Sequence, residues 1–383
     1  MHIAWLGKKT PFCGNVTYSR EVTNALLDRG HQVSFLHFAQ EDAPEDASSE
    51  VQEVSIPCFY KSQIYTIPTL KSSKVLTESL RRLKPDLVHA SLTLSPLDFV
   101  LPEICEELNL PLVATFHPPF DRKRRNLTSG TQHLMYQLYA PFLAHYDRVI
   151  VFSNIQRDLL TRLGVPEPVV AVIPNGVDIE KYSPGYSSIK QELNARRLFV
   201  YQGRIAPEKN VESLLKAWKQ ADLGEDSKLL IVGNGPLLPT LMSLYGDDES
   251  ITWLGFVADE ERRIEILRGA DVFILPSLVE GLSLSLLEAM ACGGACLATD
   301  AGADGEVLQN GAGIVLSTQR VATQLQTLLP VCQDHPELTA MLGHKARQRV
   351  LDRYTLSRNI TQLEELYRDM LQRPRVYSKL QLS

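Results

Sequence analysis

Short apolar runs alternate with segments whose apolar residues recur every three to four positions along almost the whole chain. That alternation predicts parallel sheets with crossover helices. In the first half, strands are expected at Ile3–Gly7, Val33–Phe38, Leu87–Ala90, Leu112–Phe116, Val149–Phe152 and Val169–Ile173, with a helix over Val16–Arg29 ended by Gly30. Residues 41–53 hold six acids with Pro and Ser and read as a surface loop. After a stretch at 178–197 that reads as a linker, the pattern restarts. Strands are expected at Leu198–Tyr201, Leu229–Val232, Ile251–Leu254, Val272–Leu275, Ala295–Ala298 and Gly313–Leu316, and the end from Pro336 to about Leu371 is expected to be helical. The prediction is an α/β chain of two doubly wound halves. Residues 1–177 form the first, 198–355 the second, and 356–383 a terminal helix and tail expected to cross back to the first. Open parallel sheets bind ligands beyond the carboxyl ends of their strands, so the site is expected in the cleft between the halves.

The 383 residues are 44% hydrophobic and 22% charged, enough for two cores. A net charge of −6 gives no reason to expect nucleic acid. Six cysteines are scattered, and even Cys292 and Cys296 lack histidines at zinc spacing. They read as reduced thiols of a cytoplasmic protein. The run from Met1 to Lys9 lacks the apolar segment of a signal peptide, and no stretch of 18 apolar residues occurs, which leaves peripheral contact as the expected mode at a membrane.

The most informative residues are Glu280 and Glu288, in the run Glu280-Gly281-Leu282-Ser283-Leu284-Ser285-Leu286-Leu287-Glu288. The run reads as a loop, a helix start and a second carboxylate about two turns on. Over a continuous helix the two would sit roughly 12 Å apart. That exceeds the spacing of paired glycosidase carboxylates. It suits groups gripping opposite ends of an extended ligand whose anionic middle lies over the helix N-terminus. A sugar joined to a nucleoside through a diphosphate has that shape. Upstream, Gly203-Arg204-Ile205-Ala206-Pro207-Glu208-Lys209 follows the first strand of the second half. Arg204 offers a planar fork of donors and Lys209 a point charge, both suited to a diphosphate.

These segments resemble the E-x7-E and G-R-L-x-x-E-K-G signatures of the family-4 retaining glycosyltransferases of GT-B fold. The resemblance implies two Rossmann-like domains, the second holding a nucleotide-sugar donor and the first facing the acceptor. Glu280 would orient sugar hydroxyls, Glu288 would hold the ribose, and Arg204 and Lys209 would stabilise the leaving diphosphate. Val172-Ile173-Pro174-Asn175-Gly176-Val177-Asp178 resembles the family's V-I-P-N-G-V-D and reads as a hinge marker. Gly233-Asn234-Gly235 lacks the full G-x-G-x-x-G pattern, and the resemblance puts Gly233 and Gly235 near the donor, where a plain tight turn is the equal alternative. Gly14 and Asn15 stand where the family has Gly-Gly. Gly14 permits close backbone approach, and Asn15 is a residue that tolerates positive φ. His117, at a strand end, matches a histidine that contacts the donor sugar. Leu282 and Ser283 replace the family's Phe and Gly beside Gly281 and Leu284, where backbone N–H groups would meet sugar or phosphate. Glu306, in Gly302–Glu306, matches a later donor contact. No D-x-D metal motif occurs. The expectation is turnover without metal or other cofactor, testable by EDTA, and retention by front-face attack, with inversion using His117 or Asp121 as base the rival.

The acceptor rests on weaker signals. Arg122, Lys123, Arg124 and Arg125 precede an aromatic-rich helix and could dock on an anionic bilayer at about 1 kcal/mol each; a solvated loop is the equal alternative. The run His117-Pro118-Pro119-Phe120-Asp121, with Lys8–Asn15, resembles cyanobacterial-type digalactosyldiacylglycerol synthases. That likeness implies UDP-galactose as donor and monogalactosyldiacylglycerol as acceptor. Polysaccharide or lipopolysaccharide assembly is the next option. A GT-B phosphorylase or epimerase, or a non-catalytic sugar-nucleotide-binding protein, are readings of a different class.

Overall fold

The computed structural model describes residues 1–11, 13–40, 52–119 and 127–372. Among these, two mostly parallel sheets carry the fold. The first contains β1 (His2–Gly7), β2 (Gln32–Ala39), β3 (Gln52–Lys61), β4 (Thr66–Pro68), β5 (Leu87–Ser91), β6 (Leu112–Thr115), β7 (Arg148–Val151) and β8 (Val170–Val172), in the order β4-β3-β2-β1-β5-β6-β7-β8. The second contains β9 (Arg197–Gln202), β10 (Ser227–Val232), β11 (Ile251–Gly255), β12 (Val272–Leu275), β13 (Ala295–Thr299) and β14 (Ile314–Leu316), in the order β11-β10-β9-β12-β13-β14. The central strands β5, β6, β12 and β13 are buried along their whole length, as strands covered by helices on both faces must be. Strand order reverses between β1 and β5 and again between β9 and β12. Loops leaving those four strands therefore open onto crevices.

One sequence expectation changes. Gln52 and Glu53, read as the end of a loop, are the first residues of β3, paired with Ser34 and Phe35 of β2. Neither β3 nor the antiparallel β4 was legible, because β3 carries Pro57 and opens on two polar residues. The C-terminal segment is helical as expected, in two helices, Pro336–Arg353 and Leu356–Gln372. The break is made by the V-I-P-N-G-V-D segment: Val177 N–H donates to the Tyr354 carbonyl (2.8 Å) and Leu356 N–H to the Val177 carbonyl (2.9 Å). Gly176 makes this crossing possible, since a Cβ there would lie 2.6 Å from the Leu356 Cα.

Beyond the break, Leu356–Gln372 lies on the first domain. Ile360, Leu363 and Tyr367 are fully buried in one apolar cluster with Trp5, Tyr18 and Val22. The Arg29 guanidinium reaches Glu364 (3.2 Å) and the Ser357 carbonyl (2.7 Å), and His31 Nε2 meets the other Glu364 oxygen at 2.8 Å. At the centre, the Tyr367 hydroxyl bonds His89 Nδ1 (2.5 Å), while His89 Nε2 meets the Thr115 hydroxyl (2.7 Å) and the ring stacks on Trp5. Burial pushes His89 down to about 3, so it is a neutral bridge.

Candidate active site

The loop after β12 carries Glu280. The residue is 7% exposed, and its carboxylate pairs through Oε1 with Lys209 Nζ (2.5 Å) and the Ser277 hydroxyl (2.8 Å). Ser277 is itself fixed, because the Thr299 hydroxyl at the end of β13 bonds its carbonyl. The loop after β13 closes over this arrangement. Gly302 has φ +57°, and a Cβ there would sit 2.2 Å from the Glu280 carbonyl oxygen. Ala303 N–H donates to the Gly281 carbonyl (2.7 Å). Asp304 accepts from Ser283 N–H (3.0 Å), and its other oxygen is buried without a partner. Burial, reinforced by nearby Glu280, holds the Asp304 carboxyl well above the ordinary range. Asp304, Ser277 and Thr299 escaped the sequence reading, although Asp304 lies inside the segment that drew attention to Glu306.

Ser283 is the N-cap of the helix Leu284–Ala291, its hydroxyl accepting from Leu286 N–H (3.3 Å). The serine that departs from the family's glycine thus starts the helix. Glu288 follows in the second turn. Gln202 Nε2 at the end of β9 donates to Glu288 Oε2 (3.3 Å), and Tyr182 lines the same cavity. A little of Glu288 surface opens on the cleft, yet protein surrounds the carboxylate. Burial pushes it up to about 7; Arg263 and Tyr182 oppose the shift, and the carboxylates Glu260 and Glu21 add to it. A narrow cavity here is lined by Glu288, Tyr182, Glu260 and Leu284 from the second half and by Thr17, Tyr18 and Glu21 from the first. An ionic cluster spans the cleft beside it, with Arg20 3.7 Å from Glu260 and Lys181 3.6 Å from both Glu21 and Glu260.

Arg204 leaves β9 with a partly exposed guanidinium 3.5 Å from Glu208. Its loop is zipped to the loop after β10: Ile205 N–H donates to Asn234 and Leu237 N–H to Ile205. Cβ atoms at Gly233 and Gly235 would fall 1.8 Å and 2.2 Å from the carbonyl oxygens of Gly203 and Ile205. Close backbone packing therefore accounts for both glycines.

Across the cleft, His117 leaves β6. A Cβ added at Gly281 would be 3.3 Å from the His117 carbonyl oxygen, so the two halves meet here. Asn175 Nδ2 makes a second crossing to the Leu282 carbonyl (3.4 Å). His117 Nε2 bonds the Ser91 hydroxyl (2.9 Å), which also bonds Asn15 Oδ1 (2.5 Å), while Asn15 Nδ2 donates to the Leu92 carbonyl (3.2 Å). Asn15 lies in the first turn of the helix Gly14–Asp28 and not at positive φ, which corrects the expectation from its residue type. Its amide ties that helix to the loop after β5. A Cβ at Gly14 would meet nothing within 4 Å, leaving open space before the helix. Burial pushes His117 down to about 3, with Lys8 acting in the same direction, so the imidazole is neutral near pH 7. Glu306 faces Asn154 of the first half (3.4 Å). Arg122, Lys123, Arg124 and Arg125, with Asp121, lie outside the described residues. Among the described residues no cluster of three metal-ligating side chains occurs.

Residues 13–181 match the family model described as Glycosyltransferase Family 4, and residues 187–349 the model described as Glycosyl transferases group 1. A UDP-Gal:alpha-D-GlcNAc-diphosphoundecaprenol alpha-1,3-galactosyltransferase of Escherichia coli is 28% identical over 80% of this chain and 81% of its own. An MMP alpha-(1->4)-mannosyltransferase of Mycolicibacterium hassiacum is 27% identical over 97% of this chain and 99% of its own. Among solved structures, a sucrose-phosphate synthase of Thermosynechococcus elongatus superposes with TM-score 0.76 at 20% identity, covering 96% of this chain and 98% of that one. Anabaena HepE in complex with UDP-glucose gives TM-score 0.76 at 18% identity, covering 96% of this chain and 100% of that one. Both share the two-domain architecture.

Proposed function

The chain belongs to the GT-B glycosyltransferases, which move a sugar from a nucleotide sugar, and from that premise we propose that it transfers a hexose from a UDP-sugar to a membrane glycolipid with retention of anomeric configuration. The observation that carries this reading is one wall of the cleft. Arg204, the Lys209–Glu280 pair, the helix capped by Ser283, and Glu288 follow one another across the switch point between β9 and β12. In this reading the diphosphate lies over Lys209, Arg204 and the helix N-terminus, Glu280 orients sugar hydroxyls once Lys209 turns to phosphate, and Glu288 accepts from the ribose. The neutral, low-pKa His117 is a poor base, which supports retention over an inverting mechanism built on that residue. Its backbone beside Gly281 suits sugar positioning. Lys209 and Arg204 supply cationic stabilisation without a metal; activity that survives EDTA supports this, and restoration by Mg²⁺ after EDTA overturns it.

For the acceptor, the E. coli relative is named for a lipid-linked diphosphoundecaprenol substrate, and a Corynebacterium glutamicum relative for a phosphatidylinositol monomannoside. Those names and the likeness to digalactosyldiacylglycerol synthases support a lipid acceptor, in the narrowest form galactosylation of monogalactosyldiacylglycerol. The test is transfer from radiolabelled UDP-galactose, UDP-glucose and GDP-mannose to lipid extracts, resolved by thin-layer separation. A UDP-galactose-dependent dihexosyl lipid supports the reading. Label in lipid only from GDP-mannose overturns the donor assignment. Donor hydrolysis without labelled lipid overturns the acceptor assignment.

A further inference from the structure

The β3–β4 hairpin carries a feature that neither fold nor transfer chemistry uses. Phe59, Tyr60, Ile64, Tyr65, Ile67 and Leu70 all project into solvent, with Phe59 67%, Ile64 57% and Leu70 99% exposed. A strand alternates its faces, so consecutive outward residues need a cause. The ladder slips between Cys58 and Tyr60, and that irregularity turns both Phe59 and Tyr60 outward while Cys58 stays buried. The turn does not depend on its apolar side chains. Ser62 N–H bonds the Tyr65 carbonyl (2.9 Å), and the Ser62 hydroxyl accepts from the N–H groups of Ile64 (3.2 Å) and Tyr65 (3.1 Å). Polar residues would build the same turn without exposing apolar surface to water.

Charge in the segment is mostly positive, with Glu78 3.8 Å from Lys74 as its one acid. Residues 59–84 contain six cations and one acid in a chain of net charge −6. Lys71, next to Leu70, and Lys74, one helical turn on, are both exposed. Location adds to this. Lys8, at the end of β1 and 2% exposed, donates to the Ser62 carbonyl (3.1 Å). The hairpin therefore stands at the carboxyl end of the first sheet, the end at which His117 leaves β6.

We propose that the β3–β4 hairpin, with Lys71 and Lys74, is a docking surface for an anionic lipid bilayer. Tyr60 and Tyr65 supply rings suited to the headgroup level, Phe59, Ile64 and Leu70 enter the acyl boundary, and the lysines meet anionic headgroups. A second copy of the chain fits less well. It would bring like charges together, and the edge strand β4 is three residues long and ends at Pro68, which has no N–H to offer a partner. The proposal concerns attachment and is independent of which sugar is moved.

The full-length protein would be co-sedimented with vesicles of phosphatidylcholine containing phosphatidylglycerol, and with phosphatidylcholine alone. Wild type binds the anionic vesicles, and binding weakens as salt rises. The triple variant Phe59→Ser/Ile64→Ser/Leu70→Ser loses affinity by at least about tenfold. Lys71→Glu/Lys74→Glu loses affinity for anionic vesicles only. All these positions are exposed, so thermal unfolding should match wild type. Transfer to a detergent-dispersed acceptor stays unchanged in both variants, which separates failure of docking from failure of the assigned reaction. Vesicle binding that persists in the triple variant overturns the proposal. So does a protein–protein dimer, seen by sedimentation equilibrium, that the same substitutions abolish.

Discussion

Replacing Glu288 with Gln tests whether the donor is held by a carboxylate that must first lose a proton. In the ligand-free protein, burial and the neighbouring acids raise Glu288 from its ordinary 4.5 to about 7. A raised value means that the folded state holds the proton more tightly than the unfolded chain. The stabilisation is full below about pH 4.5 and disappears as pH climbs through 7. Working the two titrations together, wild type loses about 2.5 kcal/mol between pH 5 and pH 8 that Glu288→Gln keeps. Urea unfolding of both proteins at the two pH values measures this directly. Donor binding runs the other way. A carboxylate that accepts from ribose hydroxyls favours its charged form, so binding expels the proton. At pH 6.5 roughly three-quarters of a proton should leave per donor bound, and affinity should be about tenfold tighter at pH 8 than at pH 6. Calorimetry with an intact UDP-sugar, whose diphosphate has no ionisation near neutrality, reads both quantities when repeated in buffers of different ionisation enthalpy. Glu288→Gln should bind weakly and without pH dependence. Equal wild-type affinity at pH 6 and 8, with no proton exchange at pH 6.5, would refute the reasoning.

Three further outcomes follow from the geometry. Lys209→Ala should lower kcat by on the order of 10² with a smaller change in donor KM, and adding Glu280→Gln should restore stability without restoring rate, because the second change removes the unpaired charge but supplies no cation to the diphosphate. Gly302→Ala should destabilise the protein by at least about 2 kcal/mol and cost activity, since the new methyl group meets the Glu280 carbonyl and the residue sits at positive φ; thermal melts and kinetics check both. Tyr367→Phe leaves His89 Nδ1 without its partner in a sealed core and should cost about 1–3 kcal/mol in urea unfolding.

The two sheets were readable because their central strands are buried on both faces and appear as unbroken apolar runs. Glu280, Glu288, Arg204 and Lys209 stood out because their segments match family signatures in the right order; spacing alone would equally suit a solvated helix and a surface loop. The residues that hold them were harder to see. Ser91 looks like any strand-end serine until topology sets β5 between β1 and β6, where one hydroxyl can join Asn15 to His117. Asp304 is hidden in the same way, since its importance comes from Gly302 folding the β13 loop back onto the β12 loop. The helix break at Tyr354 and Thr355 falls at the expected end of the second domain, but its cause, Val177, lies far back in the chain.

The returning helix also bears on how the protein is made. Residues 1–177 leave the ribosome with every strand of their sheet available, but the apolar face formed by Trp5, Tyr18 and Val22 receives part of its cover from Ile360, Leu363 and Tyr367. At about 5–20 residues per second, that face waits on the order of 10–40 s for its cover to be translated. The first domain is therefore finished by a helix translated long after its own coding segment. During that interval the nascent chain presents the kind of surface that chaperones bind.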